Sequence, residues 1–138
     1  MCTAMNENGA LGILHRFCSI EQQQQFGKSI KGIYGAAIGV CGDYLERYEA
    51  VAEAGATIIC IDIACGHHIL MQKAIEKINV SKYRDKIHLM AGNVATGDGF
   101  VWLAQQNVDS VRVGIGRPVA YAKQELTVEW VFLMLLQY

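Results

Sequence analysis

Two polar side chains sit where short apolar runs end, and a third lies inside such a run; each is of a type that could meet a ligand. Asp62 closes TIICID, Asn93 follows KIHLMAG, and Arg112 lies inside SVRVGIG just ahead of Gly114, Ile115 and Gly116. A carboxylate leaving an apolar strand needs partners, and the ribose hydroxyls of a ligand are one suitable set. A cap on the next helix, or a pair with Arg16 or Arg112, would serve Asp62 equally well. Arg112 falls within a strand pattern, so its charge calls for a carboxylate or a ligand. Asn93 offers both a donor and an acceptor, and Gly92 and Gly97 in AGNVATGDG allow close approach of backbone to a ligand. His15 and Arg16, at the end of ALGILHR, suit an anionic or aromatic ligand or a solvated strand end. His67 and His68 are adjacent, with no further ligand at zinc spacing, and are read as no metal site.

The elements that would place these residues follow one another regularly. The apolar runs begin at Ala10, Ala36, Thr57, Lys86 and Ser110, roughly 20 to 30 residues apart, the size of a βα unit. None alternates strictly, as expected of parallel strands buried on both faces. The intervening segments carry helix signals: Ser19 with Gln22 three residues on makes a capping box, Gly42-Asp43 opens the next helix and Gly55 closes it. Gln22 to Gln25 reads as the wet face of a helix. Five consecutive βα units make an α/β chain, either a doubly wound sheet or part of a (β/α)₈ barrel. Polar residues at the C-terminal ends of the strands favour the barrel, of which 138 residues would supply a little over half.

Composition narrows the partners. The chain is 52% hydrophobic and 18% charged with net charge −1, so no basic excess points to nucleic acid. The first residues lack a secretory pattern, and no apolar run approaches the roughly 20 residues that span a bilayer, which makes no membrane and a cytoplasmic setting the default expectation. The five cysteines form no CxxC pair and read as reduced thiols, with Cys60 a small buried hydrophobe.

GALGILHRFCSIEQQ, AAIGVCGDYLERYEAVAEAGATIICIDIACGHH, AGNVATGDGFVWLA and DSVRVGIG together resemble the IMP dehydrogenase/GMP reductase family in order and spacing, from about Gly9 to Gly116. The resemblance implies the N-terminal part of a TIM (β/α)₈ barrel over residues 1–116. It also implies hydride transfer between NAD or NADP and C2 of a purine 5′-monophosphate, IMP to XMP or GMP to IMP, through a cysteine thioimidate. It places Asp62, Ile63 and Ala64 beside the nicotinamide ribose, Asn93 and Arg112 in the same cleft, and the Gly114-Ile115-Gly116 turn on the cofactor. The carbonyl of Gly116 would help hold a potassium ion. The implied partners are a purine nucleoside monophosphate and further copies of the chain, since the family forms tetramers.

Two departures stand out. Only about ten residues separate the Gln-rich helix from AAIGV, so the CBS-pair insert of many dehydrogenases is absent, which favours a reductase or an insert-free dehydrogenase. The family continues past GIG with glycines, a serine and the catalytic cysteine, whereas this chain has Arg117-Pro118-Val119-Ala120-Tyr121 and no cysteine after Cys65. No catalytic residue is therefore assigned. Residues 117–138 read as an out-of-frame tail: taken from the third base of the tyrosine codon, Tyr121-Ala122 can spell cysteine, and Glu129 to Leu133 can spell Val-Gly-Ile-Pro, like the family's V-G-x-P. The alternative is a true extension whose VFLMLL covers a sheet edge. At the level of function, the alternative is a catalytically inactive fragment that binds nucleotide or self-associates; another phosphate-binding barrel family fits the residue order less well.

Overall fold

The computed structural model describes residues 1–114 and the backbone of 132–135. Among these, strands β1 (Gly12–Leu14), β2 (Tyr34–Ile38), β3 (Ile58–Asp62), β4 (His88–Val94), β5 (Ser110–Val113) and β6 (Phe132–Leu135) form one sheet in the order β1-β2-β3-β4-β5-β6. The first five are parallel, each beside its sequence neighbour. A doubly wound sheet would reverse its strand order at a switch point, so this unbroken order selects the barrel winding. The sheet carries one antiparallel pair, Ser110↔Leu135 to Val113↔Phe132, so β6 covers the β5 edge where the extension reading puts VFLMLL.

Helices α2 (Ile20–Ser29), α3 (Tyr44–Glu53), α4 (Ile69–Asn79) and α5 (Gly97–Ala104) follow β1 to β4, and a short α1 (Cys2–Glu7), with no counterpart in the sequence reading, precedes β1. The Ser19 capping box forms as expected, with Ser19 Oγ accepting from Gln22 N and Gln22 Oε1 accepting from Ser19 N. Gly55 follows α3 at φ +98°, a left-handed turn that a side chain would strain. On α4, Met71, Ala74, Ile75 and Ile78 are fully buried at i, i+3, i+4 and i+7, the stripe that faces a sheet. They pack on Ile59, Ile61, Leu89 and Val111, the outward residues of the strands. The opposite face of the sheet carries Ala37, Cys60, Asp62, Met90, Gly92, Ser110 and Arg112, which alternate with those residues.

One sequence reading is corrected here. The Gln22–Gln25 run is not a uniformly wet face, because Gln23 is 0% exposed. Ile20, Gln23, Gly27 and Ile30 share one helical stripe, and that stripe meets the strands. Gly42-Asp43 opens α3 as read: Asp43 stands at its N-cap, its carboxylate accepting from Arg47 at 2.8 Å rather than from a capping N–H.

The N-terminal end of the strands is closed by Arg84 in the 3-10 turn Arg84–Lys86. Its guanidinium donates to Asn79 Oδ1, Ile87 O, Asn107 O and Asp109 Oδ1, and lies 2.9 Å from Asp109 Oδ2. Asp109 also accepts from Leu89 N. Burial pushes the Asp109 carboxyl up, but the hydrogen bonds from Arg84 and from Leu89 N, together with the Arg84 charge, outweigh it and hold the carboxyl below the usual carboxylate range. Every hydrogen-bonding position of this guanidinium faces the protein, so the cluster ties loops together at the end away from the cleft.

Candidate functional site

The register of three strands builds the site. Asp62 pairs opposite Gly92, and Gly92 pairs opposite Arg112. All three therefore lie in one row across the inner face, with a glycine in the middle. Arg112 extends across that glycine and donates from Nη1 to Asp62 Oδ1 at 3.1 Å, with Cys60 Sγ at 3.6 Å. Of the readings open for Asp62, the structure contains the pair with Arg112, which is also the carboxylate partner required of Arg112. Both remain within reach of solvent, with side-chain exposures of 36% and 25%.

Asn93 owes its position to a break in register. Gly92 pairs with Arg112 but Val94 pairs with Val113, so Asn93 is the extra residue of a bulge, a device that redirects a side chain. Its Nδ2 donates to Gly114 O at 2.6 Å, its N to Ile63 O and its carbonyl accepts from Gly66 N. These bonds draw the loops after β3, β4 and β5 into one rim. Asp62, Ile63, Asn93, Arg112 and Gly114 are thus brought together. The Ile63 side chain packs against the core and its N–H and carbonyl are both paired with β4. Ala64 is exposed on the following loop. Ile115 and Gly116, including the potassium reading on Gly116, lie outside the described residues.

Inside the rim is a cavity of about 480 Å³ with Ile13, Ala37 and Met90 as an apolar floor and His15, Asp62 and Arg112 as polar walls. An apolar floor suits a planar ring, and a half-exposed carboxylate suits a sugar hydroxyl, so these residues fit the ribosyl-nicotinamide part of a dinucleotide. His15 Nδ1 accepts from Phe17 N, and its ring stacks with Phe17 at 6.3 Å. The Arg16 guanidinium lies over the same Phe17 ring at 5.3 Å, with its Nε buried and unpartnered. Gly92, expected to let a ligand approach, instead makes room for Arg112: a Cβ there would lie 2.6 Å from Arg112 Cβ.

The histidines after β3 do separate work. His68 caps α4 through Nδ1, accepting from Leu70 N, and His67 packs on Trp102 at 4.7 Å. Among the described residues no group of three or more His, Cys, Asp or Glu is placed to hold a metal. Cys60 is buried, and burial pushes its thiol up, partly offset by Arg112. Cys41 and Cys65 are exposed. The sequence reading missed the buried pair Gln23 and Arg47. Both fall on the inward stripe of their helices, and that spacing was the available signal.

Winding, cavity and rim define the N-terminal portion of a parallel α/β barrel with a polar cleft at the C-terminal ends of its strands. The chain belongs to the IMP dehydrogenase / GMP reductase domain family, whose model matches residues 1–120. It is 42% identical over 90 residues to the inosine-5′-monophosphate dehydrogenase of Nitrosopumilus maritimus (strain SCM1), covering 64% of this chain and 18% of that protein. It is 36% identical over 84 residues to the GMP reductase of Leishmania major, covering 61% and 17%. The crystal structure of inosine 5′-monophosphate dehydrogenase from Legionella pneumophila superposes with a TM-score of 0.78 at 36% identity, covering 84% of this chain and 35% of that one. The chain therefore spans about a fifth of the length of the curated relatives it matches. None of the described helices is long and apolar enough to cross a membrane.

Proposed function

We propose that this chain is the cofactor-side portion of a purine-nucleotide oxidoreductase, binding NAD or NADP through Asp62, Asn93, Arg112 and the turn from Gly114 to Gly116. The observation that carries the reading is the shared inner row of Asp62 and Arg112 above an apolar cavity, in a member of a family that includes both IMP dehydrogenases and GMP reductases. When bound, the dinucleotide supplies or accepts the hydride exchanged at C2 of IMP or GMP. Asp62 would accept from ribose hydroxyls, Arg112 would hold that carboxylate in place, and the Met90 and Ala37 floor would exclude water from the ring. Gly116 would offer its carbonyl to potassium. A cytoplasmic homo-oligomer, a tetramer as in the family, completes the reading.

The same reading assigns this chain negligible turnover by itself, because it has no cysteine after Cys65 and Cys60 is held protonated in the core. Purified chain mixed with IMP and NAD, or GMP and NADPH, should give no absorbance change at 340 nm above background, while in a separate titration NADH or NADPH should still change its fluorescence on binding. Turnover at an ordinary enzyme rate, or absence of any dinucleotide binding, sinks it.

The division at Gly116 belongs to this proposal. Read from the third base of each codon, Pro118 onward can spell Gly-Ser ahead of the cysteine at Tyr121, as the family pattern requires. The glycine at position 130 is forced, because tryptophan has a single codon and valine begins with GT. Residues 117–138 are therefore assigned to an out-of-frame reading of the catalytic-loop region. The pairing of β6 with β5 does not oppose this, since an open sheet edge accepts any apolar extended segment. Nucleotide sequence past the Gly116 codon decides it: a shifted frame without cysteine at position 121 removes the idea.

A second reading, an inactive self-associating module, is favoured by one observation: among the described residues β1 pairs with β2 alone, leaving its other edge open. Sedimentation velocity should then give an oligomer, and a stable monomer counts against it.

A further inference from the structure

Two polar side chains, 0% and 7% exposed, meet between the first two βα units: Gln23 on α2 and Arg47 on α3. Gln23 Nε2 donates to His15 O at 3.1 Å and Ala37 O at 3.0 Å, with Leu14 O at 3.5 Å. Gln23 Oε1 accepts from Arg47 Nη1 at 3.0 Å. Arg47 Nη2 donates to Cys18 O at 3.0 Å and to Asp43 Oδ2 at 2.8 Å. One buried relay thus ties together the end of β1, the end of β2, the β1–α2 loop and the start of α3.

Burying an amide and a guanidinium is costly unless every group is paired, and here the partners are the carbonyls of the segment that lines the cavity. His15 and Ala37 both border that cavity, and the same loop carries the Arg16 and Phe17 stack, with Phe17 79% exposed. β1 is three residues long, too short for its ladder to fix the loop that follows. The relay supplies what the ladder does not.

We infer that Gln23 and Arg47 are positioning residues for the cleft: without touching a ligand, they hold His15 and the β1–α2 loop in the place from which a dinucleotide is bound. The inference rests on the reading of the cavity as a cofactor site. Its test pairs two measurements on the full chain, amide hydrogen exchange of peptides covering His15–Ser19 and NADPH affinity by fluorescence. Arg47→Lys keeps a charge for Asp43 but cannot bridge Gln23 Oε1 and Cys18 O together. Gln23→Glu keeps the contact with Arg47 but loses both donors to the strand ends.

In either variant the His15–Ser19 amides should exchange about tenfold faster and NADPH should bind about tenfold more weakly, while α4 peptides keep their protection. Unchanged exchange at His15–Ser19, faster exchange there only together with α4, or unchanged affinity despite a loosened loop each overturns the inference. Loss of folding in both variants does so too, since the relay would then serve the whole core. If the unmodified chain binds no dinucleotide, the cofactor reading fails and the exchange comparison alone decides whether the relay holds the loop.

Discussion

Arg112 reaches Asp62 across a strand that offers no side chain between them. The two stand on β5 and β3, their charged atoms 3.1 Å apart, and Gly92 on β4 is the register partner of both. The glycine serves the crossing, because a Cβ at that point would come within 2.6 Å of Arg112 Cβ and 2.8 Å of its carbonyl oxygen.

Gly92→Ala should therefore destabilise the chain by about 2–3 kcal/mol, the order expected when a methyl is forced into a filled site. Urea unfolding followed by circular dichroism measures it. A midpoint within error of the parent would mean that β5 moves aside freely and that the glycine is not required for packing.

Asp62→Asn separates binding from stability. The pair is partly exposed, so its loss should cost about 1 kcal/mol or less in unfolding free energy. NADPH affinity should fall about tenfold, as expected when a buried ligand hydroxyl loses a charged acceptor. A large loss of stability with affinity unchanged would make the pair purely architectural.

Asp109 governs the acid side. Its carboxyl lies lower in the folded chain than in the unfolded one, so its stabilisation is full above about pH 4 and is lost as pH falls through the folded value. Because the side chain is 36% exposed, the contribution is discounted to about 1 kcal/mol. Asp109→Asn should be less stable than the parent at pH 7, with the gap closing at low pH. A gap that persists under acid conditions would assign the effect to packing.

Thiol chemistry checks the inner face. Cys41 and Cys65 are exposed, Cys2 and Cys60 are buried, and burial raises the Cys60 thiol. Iodoacetamide at pH 8 should label Cys41 and Cys65 first and reach Cys60 only after denaturant is added. Early labelling of Cys60 in the native chain would mean that the inner face is open.

Much of this architecture was legible in the residues. The five parallel strands appear where the apolar runs lie, within two or three residues at their ends, and the Ser19 capping box forms as its spacing requires. The Gln run departs from its composition because periodicity decides burial: glutamine is usually wet, but Gln23 shares a stripe with Ile20, Gly27 and Ile30. α1 carried no apolar stripe long enough to announce it, and it packs on β1 in the folded chain.

By itself the sequence determined the βα repeat, the family and the set of polar residues at the strand ends, because these depend on local periodicity and on short motifs. It left Asp62 with four candidate partners and Gln23 with none. Only the tertiary structure decided that Asp62 pairs with Arg112 over Gly92, that a bulge turns Asn93 toward Gly114, and that Gln23 and Arg47 join two strand ends. Each of those depends on strand register, and register is set by how whole elements pack rather than by any neighbouring residue in the chain.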